Sequence, residues 1–316
     1  MALDHYVSQV HLKNFYSPKL ERLMFAMRKA DLKLFTPDAA SVCRIEDGST
    51  NSYLKNDREV EEFLKGVEPK YNSAISKLRN GDIDRECIYV VAGFVANLIV
   101  CTPAGMRIGV NPITKVTEEM GRRMDAAGLL PKAPDSIGGK SLTEMLDSGE
   151  VNLDVNPRYP QAFSIASIRQ HAVAFGNFAW EILINPFGDS PFFTSDYPVA
   201  IEQPVGVHVI NRIVPLAPDL AVKICPDRSI DPATADPSFS KFRYKRRVLE
   251  HVEVEEINRL IVRCAESTVF FREQHRWVRK FVKDNAAYRI EPVSYKIPFG
   301  NGGTMLVSTQ EIREIL

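Results

Sequence analysis

The chain has 316 residues, 45% hydrophobic and 25% charged, an ordinary globular composition with enough apolar mass for a sizeable core. Its 40 basic and 40 acidic residues balance, which excludes bulk attraction to a polyanion or an anionic membrane and leaves such binding to a local patch. The five cysteines (Cys43, Cys87, Cys101, Cys225 and Cys264) are odd in number, widely spaced and set in apolar runs, which excludes a disulfide framework or zinc knuckle and points to buried reduced thiols in a cytoplasmic protein.

Asp4 and His5 interrupt the place where a signal peptide would begin its apolar stretch. Residues 5–15, HYVSQVHLKNF, alternate loosely between apolar and polar, so a short strand or extended segment is expected through Tyr6–Val10. His5 and Gln9 then share a face. Leu20–Met27 and Ser41–Ile45 are further strand candidates. An amphipathic helix follows, carrying Val60, Phe63, Leu64, Val67, Tyr71, Ile75 and Leu78 at three- and four-residue spacing. Asn56 and Glu59 form a capping-box pattern, Asn80-Gly81 is a stop signal, and Pro69 predicts a kink near Glu68. Cys87–Cys101 is the longest apolar run, short of the ~20 residues that a membrane-spanning helix needs. It predicts a helix over 84–101, buried on all sides and stopped at Thr102-Pro103, with no membrane partner. Lys115–Ala127 and Leu142–Asp147 predict two shorter helices, the second capped by Ser141-x-x-Glu144, with a Pro/Gly-rich loop between them. Another helix is expected from Tyr159 to Phe175.

The pattern then changes. Phe178–Ile184, Phe192–Ile201, Val205–Leu216 and Leu220–Cys225 are apolar, rich in branched residues and separated by turn formers, which predicts an antiparallel meander. Residues 226–240 form a loop, Val254–Cys264 is helical, and Val269–Val282 continues as a second helix or an extension of the first. The last thirty residues suggest two short strands and a terminal helix at Gln310–Ile315. With no repeat and no sharp boundary, the expected architecture is a single α+β domain, an antiparallel sheet with a helical layer. Its helix-rich part is 56–175, its strand-rich part 177–225, and its C-terminal helices and short strands 250–316.

Four features carry chemistry. Gly139-Lys140-Ser141 lacks the earlier glycine and the preceding strand of a phosphate-binding loop, because Pro134 stands at the required position; a helix cap explains it. No His/Cys cluster, HExxH or calcium loop occurs, so a metal would need ligands distant in sequence. Phe192–Pro198 reads FFTSDYP, and buried strands rarely carry Thr, Ser and Asp in succession unless those side chains have partners. Ser195 lacks a GxSxG elbow, and it and Asp196 either belong to a site or bond backbone groups at a strand end. Arg272, Arg276, Arg279, Lys280 and Lys283 fall at helical spacing, near Arg243, Lys245, Arg246 and Arg247. That stripe is either a solvated outer face or a phosphate-binding face for nucleic acid or nucleotide.

HYVSQVHLKNF, the helix carrying Val67-Glu68, the Phe178–Ile184 strand with Trp180, and FFTSDYPV together resemble the domain-of-unknown-function family 4238. The resemblance implies that His5, Gln9, Glu68, Ser195 and Asp196 occupy the family's recurrent polar positions. Ser8 stands where the family has Pro, Tyr197 where a small polar residue is usual, and Cys101 where an Arg is common. The expected chemistry is general acid–base hydrolysis of a phosphodiester or related nucleotide bond, nuclease-like. Glu68 or Asp196 would be the base or hold a divalent metal ion, His5 the acid, and Gln9 the orienting group. The alternative is a non-catalytic binding protein in which these polar residues form a buried structural network.

Overall fold

The computed structural model describes residues 3–203, 209–231, 233–300 and 303–315. Strand β1 (Leu3–His5) leads into a short helix α1 (Gln9–Leu12), followed by β2 (Phe25–Arg28), β3 (Leu34–Phe35) and β4 (Arg44–Glu46). The helical half comprises α2 (Glu59–Lys65), α3 (Tyr71–Asn80), α4 (Arg85–Cys101), α5 (Pro103–Ala126), α6 (Leu142–Asp147), α7 (Arg158–Ala166) and α8 (Ile168–Asn177). Then come β5 (Ala179–Ile184), β6 (Thr194–Ser195), β7 (Ala200–Glu202), β8 (Asn211–Ala217), β9 (Leu220–Cys225) and β10 (Arg243–Val248). The chain closes with α9 (His251–Cys264), β11 (Thr268–Phe271), α10 (Val278–Asn285) and a hairpin of β12 (Tyr288–Phe299) and β13 (Gly303–Glu314).

The fold is α+β. Helix α4 is its axis: apolar from Cys87 to Cys101 apart from Asn97, with Val90–Leu98 wholly buried, packed against α3, α5, α7 and α8. It starts on Asp84, whose carboxylate accepts from the Cys87 amide, and stops at Thr102. The Thr102 hydroxyl accepts from the Gly105 amide while donating to the Leu98 carbonyl, and the chain turns through 65° into α5. Among the described residues, no single helix is long and apolar enough to cross a membrane.

Two larger sheets flank this frame. One has the order β10-β5-β9-β8-β7, in which β5, β9, β8 and β7 are antiparallel neighbours and β10 joins β5 in parallel. The other has the order β3-β2-β11-β6 and is antiparallel. Helix α9 packs on both β7 and β6, so it ties the two sheets together. One contiguous apolar core runs from Val7 to Ile290. All five cysteines are free thiols, and only Cys225 is not fully buried.

Several expectations need correction. The segment after Tyr6 is helical from Gln9, because Ser8 opens a turn whose carbonyl accepts from the amides of His11 and Leu12. The long helix predicted across Val60–Leu78 is broken at Gly66-Val67, and Glu68–Lys70 forms a 3-10 turn in which Pro69 needs no amide hydrogen. Gly81, at φ 89°, ends α3 in the left-handed conformation that glycine favours. The helix expected over 159–175 is interrupted at Ser167. Phe192–Ile201 is not one strand: β6 and β7 belong to different sheets, joined by a buried turn. In the strand expected over Val205–Leu216, residues 205–208 lie outside the described residues, and β8 begins at Asn211. Val269–Val282 is not a helix but β11, a loop and α10, because Val269–Phe271 has strand partners on both sides. The C-terminal helix expected at Gln310–Ile315 is instead the end of β13, paired with Tyr288–Pro292.

Candidate functional site

His5 sits at the end of β1, opposite Arg44 in β4, and Gln9 opens α1 four residues on. Glu68 begins the 3-10 turn between α2 and α3. His5 and Gln9, neighbours in sequence, and the distant Glu68 line one cleft of about 620 Å³ together with Asp4, Ser8 and Lys13. The sequence reading named the first three and missed Lys13. Once residues 9–12 are recognised as helical, Lys13 lies one turn beyond Gln9 on the same side.

The hydrogen bonds define the state of the imidazole. His5 Nε2 lies 3.2 Å from the Ala40 carbonyl oxygen, which can only accept, so Nε2 carries the hydrogen. Nδ1 then accepts from the Gln9 amide nitrogen at 3.4 Å. Gln9 carries both a donor and an acceptor on one amide, so a rotated amide would receive a hydrogen from Nδ1 of a protonated ring. Asp4 is engaged by the Ser49 amide at 3.1 Å. Among the described residues, Glu68 and Lys13 have neither an ion-pair nor a hydrogen-bond partner on their side chains. Ser8 Oγ is buried without a partner and lines the same cleft, a donor and acceptor left open there.

Asp196 does not line this cleft. Its carboxylate accepts from the Glu266 amide (2.9 Å), the Ser267 amide (2.8 Å) and hydroxyl (2.6 Å), and the Thr268 amide (3.0 Å). Burial pushes its carboxyl up, and the four donors pull the other way. It thereby fixes the turn from α9 into β11. Ser195 is also buried, pairs with Val269 in the sheet, and accepts from the Tyr197 amide at 3.2 Å through its hydroxyl. The two regions adjoin in the core: burial, the Cys43 thiol and the Asp196 carboxylate together push the Tyr6 hydroxyl up.

The imidazole that meets the FFTSDYP stretch is that of His11, not His5. His11 is fully buried, with Nδ1 2.8 Å from the Tyr71 hydroxyl and Nε2 2.8 Å from the Thr194 hydroxyl. Burial pushes its pKa down to about 3, so the ring is neutral and structural.

The basic stripe is not a single helical face. Arg272 and Arg276 precede α10, and only Arg279, Lys280 and Lys283 lie on it. Lys280 pairs with Asp284, and Arg279 donates to the Leu32 carbonyl at 3.2 Å. On β10, Arg243 pairs with Asp227, Lys245 and Arg247 pair with Glu181, and Arg246 donates to the Arg79 carbonyl. None of these cations lines the cleft. Among the described residues, no three or more His, Cys, Asp or Glu side chains gather to hold a metal ion.

A family model described as "Protein of unknown function (DUF4238)" matches residues 4–275, which takes in β1 to β11 and leaves out the terminal hairpin. No curated protein and no solved structure matches the sequence.

Proposed function

The chain belongs to the DUF4238 family of proteins of unknown function, and from that premise we propose a hydrolase that cleaves a phosphodiester or related nucleotide bond in the N-terminal cleft. The observation that carries the reading is the unpaired Glu68 carboxylate in one cleft with His5, Gln9 and the unpaired Lys13. Glu68 takes a proton from water, and the water oxygen attacks phosphorus as the bond to the leaving oxygen breaks. Lys13 offsets charge on the phosphoryl oxygens as a point donor. His5 supplies the leaving-group proton from Nδ1 when both ring nitrogens carry a hydrogen and the Gln9 amide has given way, a rearrangement that costs about one hydrogen bond, ~1 kcal/mol. A divalent ion, if used, would draw on Glu68 with water and substrate oxygens. The five free thiols support a reducing, cytoplasmic location.

The test is hydrolysis of bis(p-nitrophenyl) phosphate and of cyclic and linear dinucleotides, with and without magnesium, manganese or zinc. Glu68→Gln should lower kcat at least about 100-fold, the usual contribution of a positioned base, with an unchanged melting temperature because the Glu68 side chain has no partner among the described residues. Activity that survives Glu68→Gln, or a wild-type protein inert toward all of these substrates, would sink the proposal. The second reading, a non-catalytic binding protein, is supported at Asp196, whose carboxylate is spent on three backbone amides and the Ser267 hydroxyl, and at Ser195, whose buried hydroxyl accepts from the Tyr197 amide. A nucleic-acid or nucleotide partner rests on Lys13 in the cleft. Arg272 and Arg276 could contribute only as separate contacts, and charge reversal at either that leaves the salt slope of polyanion binding unchanged would remove them from the interface.

A further inference from the structure

A second cavity, of about 320 Å³, lies between α4, α5, α7, α8 and β8 and shares no residue with the N-terminal cleft. Its wall is largely apolar, from Ile99 and Val100 of α4, Met106 and Ile108 of α5, and Phe175 of α8. Set into that wall is Arg212 of β8. Among the described residues its guanidinium meets no carboxylate; its hydrogen bond is a long one, 3.4 Å to the Ile210 carbonyl, and its carbon stands 5.7 Å from the centre of the Phe175 ring. Gln161 lines the same cavity and is 3% exposed. Its Oε1 accepts from Asn51 at 3.2 Å, and its Nε2 is buried with no partner. Ser164, His171 and Tyr197 also line the cavity.

A guanidinium set in an apolar wall without a counter-charge is costly unless something supplies one. We propose that this cavity binds a small organic monocarboxylate, with its two oxygens on Arg212 and the Gln161 amide and its apolar body between α4, α5 and α8. The charge balance selects a monoanion. Burial, and then Arg212, push the His171 pKa down, so the imidazole adds no second positive charge. A phosphate dianion would leave surplus negative charge in the cavity, whereas a carboxylate matches the planar fork of one arginine. Gln310 of β13 also lines the cavity, so the hairpin outside the family match helps to close the site.

The glycines of α5 supply a clean block. A Cβ at Gly109, which lines the cavity, would meet nothing within 4 Å, so Gly109→Leu fills the cavity without disturbing the helix. The experiment is calorimetric titration of the full chain with sodium hexanoate, using hexan-1-ol and inorganic phosphate as controls. Saturable hexanoate binding is expected, weakened at least about tenfold in Arg212→Met, with hexanol and phosphate both weaker than hexanoate. Gly109→Leu should abolish binding. Arg212→Met should melt no lower than wild type, since it removes an unpaired charge. The proposal is overturned if hexanoate does not bind, if it binds Arg212→Met or Gly109→Leu as it binds wild type, or if hexanol or phosphate binds more tightly. If Arg212→Met does not fold, Gly109→Leu alone decides the matter.

Discussion

At the scale of single residues, His11 makes the most specific prediction. Its folded pKa of about 3 lies below the ordinary 6.5, so between those values the unfolded chain binds a proton that the buried ring refuses. The stability contributed by the neutral ring is complete above about pH 6.5 and falls by about 1.4 kcal/mol per pH unit as the pH drops toward 3. Urea midpoints measured between about pH 7 and about pH 4 should show this slope in wild type and a shallower one in His11→Gln. Asp196→Asn should cost about 3 kcal/mol, because an amide nitrogen would replace one of two oxygens that between them accept from four donors; a urea midpoint within error of wild type would remove its role at the turn. The resemblance to the family's motifs marked His5, Gln9 and Glu68, and these three line one cleft. It could not separate Asp196 from them, because a carboxylate bound to backbone amides and one facing a substrate are the same letter. Only the neighbours from 266–268 distinguish the two, and those residues carry no signal of where they pack.

Among the elements, the helix–helix corner at Thr102 gives opposite outcomes for two glycines on one helix. A Cβ at Gly105 would stand 2.0 Å from the Ile99 carbonyl oxygen, so Gly105→Ala must spread the corner and should cost at least about 3 kcal/mol. Gly109→Ala meets nothing and should gain about 1 kcal/mol from helix propensity. Thermal melts of the two variants check both signs. Elements with local causes were legible in the sequence. The run inside α4 has no polar face, and Ser141 with Glu144 closes a capping box at the start of α6. Elements whose cause is distant were not. Thr268–Phe271 is apolar at every position after the first, which suits a buried helix or a strand with neighbours on both sides, and β2 and β6 decide it. Likewise Gln310–Glu314 becomes strand because Tyr288–Pro292 lies opposite.

On the scale of the whole molecule, the balance of helix and antiparallel strand could be read in advance, but the partition of the strands into separate sheets could not. Strand order depends on pairings across long stretches of chain, to which periodicity is blind. The terminal hairpin is held by Arg107 of α5, which pairs with Glu266 and Glu291 and donates to the Ile290 carbonyl at 2.9 Å. A chain truncated after Ala265 should lose cooperative urea unfolding, since β2 and β6 would both lack β11; a sharp transition in that fragment would show that the second sheet is dispensable. The β2–β11 pairing also sets a timetable. Phe25–Arg28 leaves the ribosome roughly 240 residues before Thr268–Phe271, which at bacterial-to-eukaryotic elongation speeds is roughly 10–50 s. Throughout that interval β2 is an apolar strand with a bare edge, open to the wrong neighbour. The yield of native protein in cells should therefore respond to chaperone supply and translation speed more than the stability of the finished molecule would suggest.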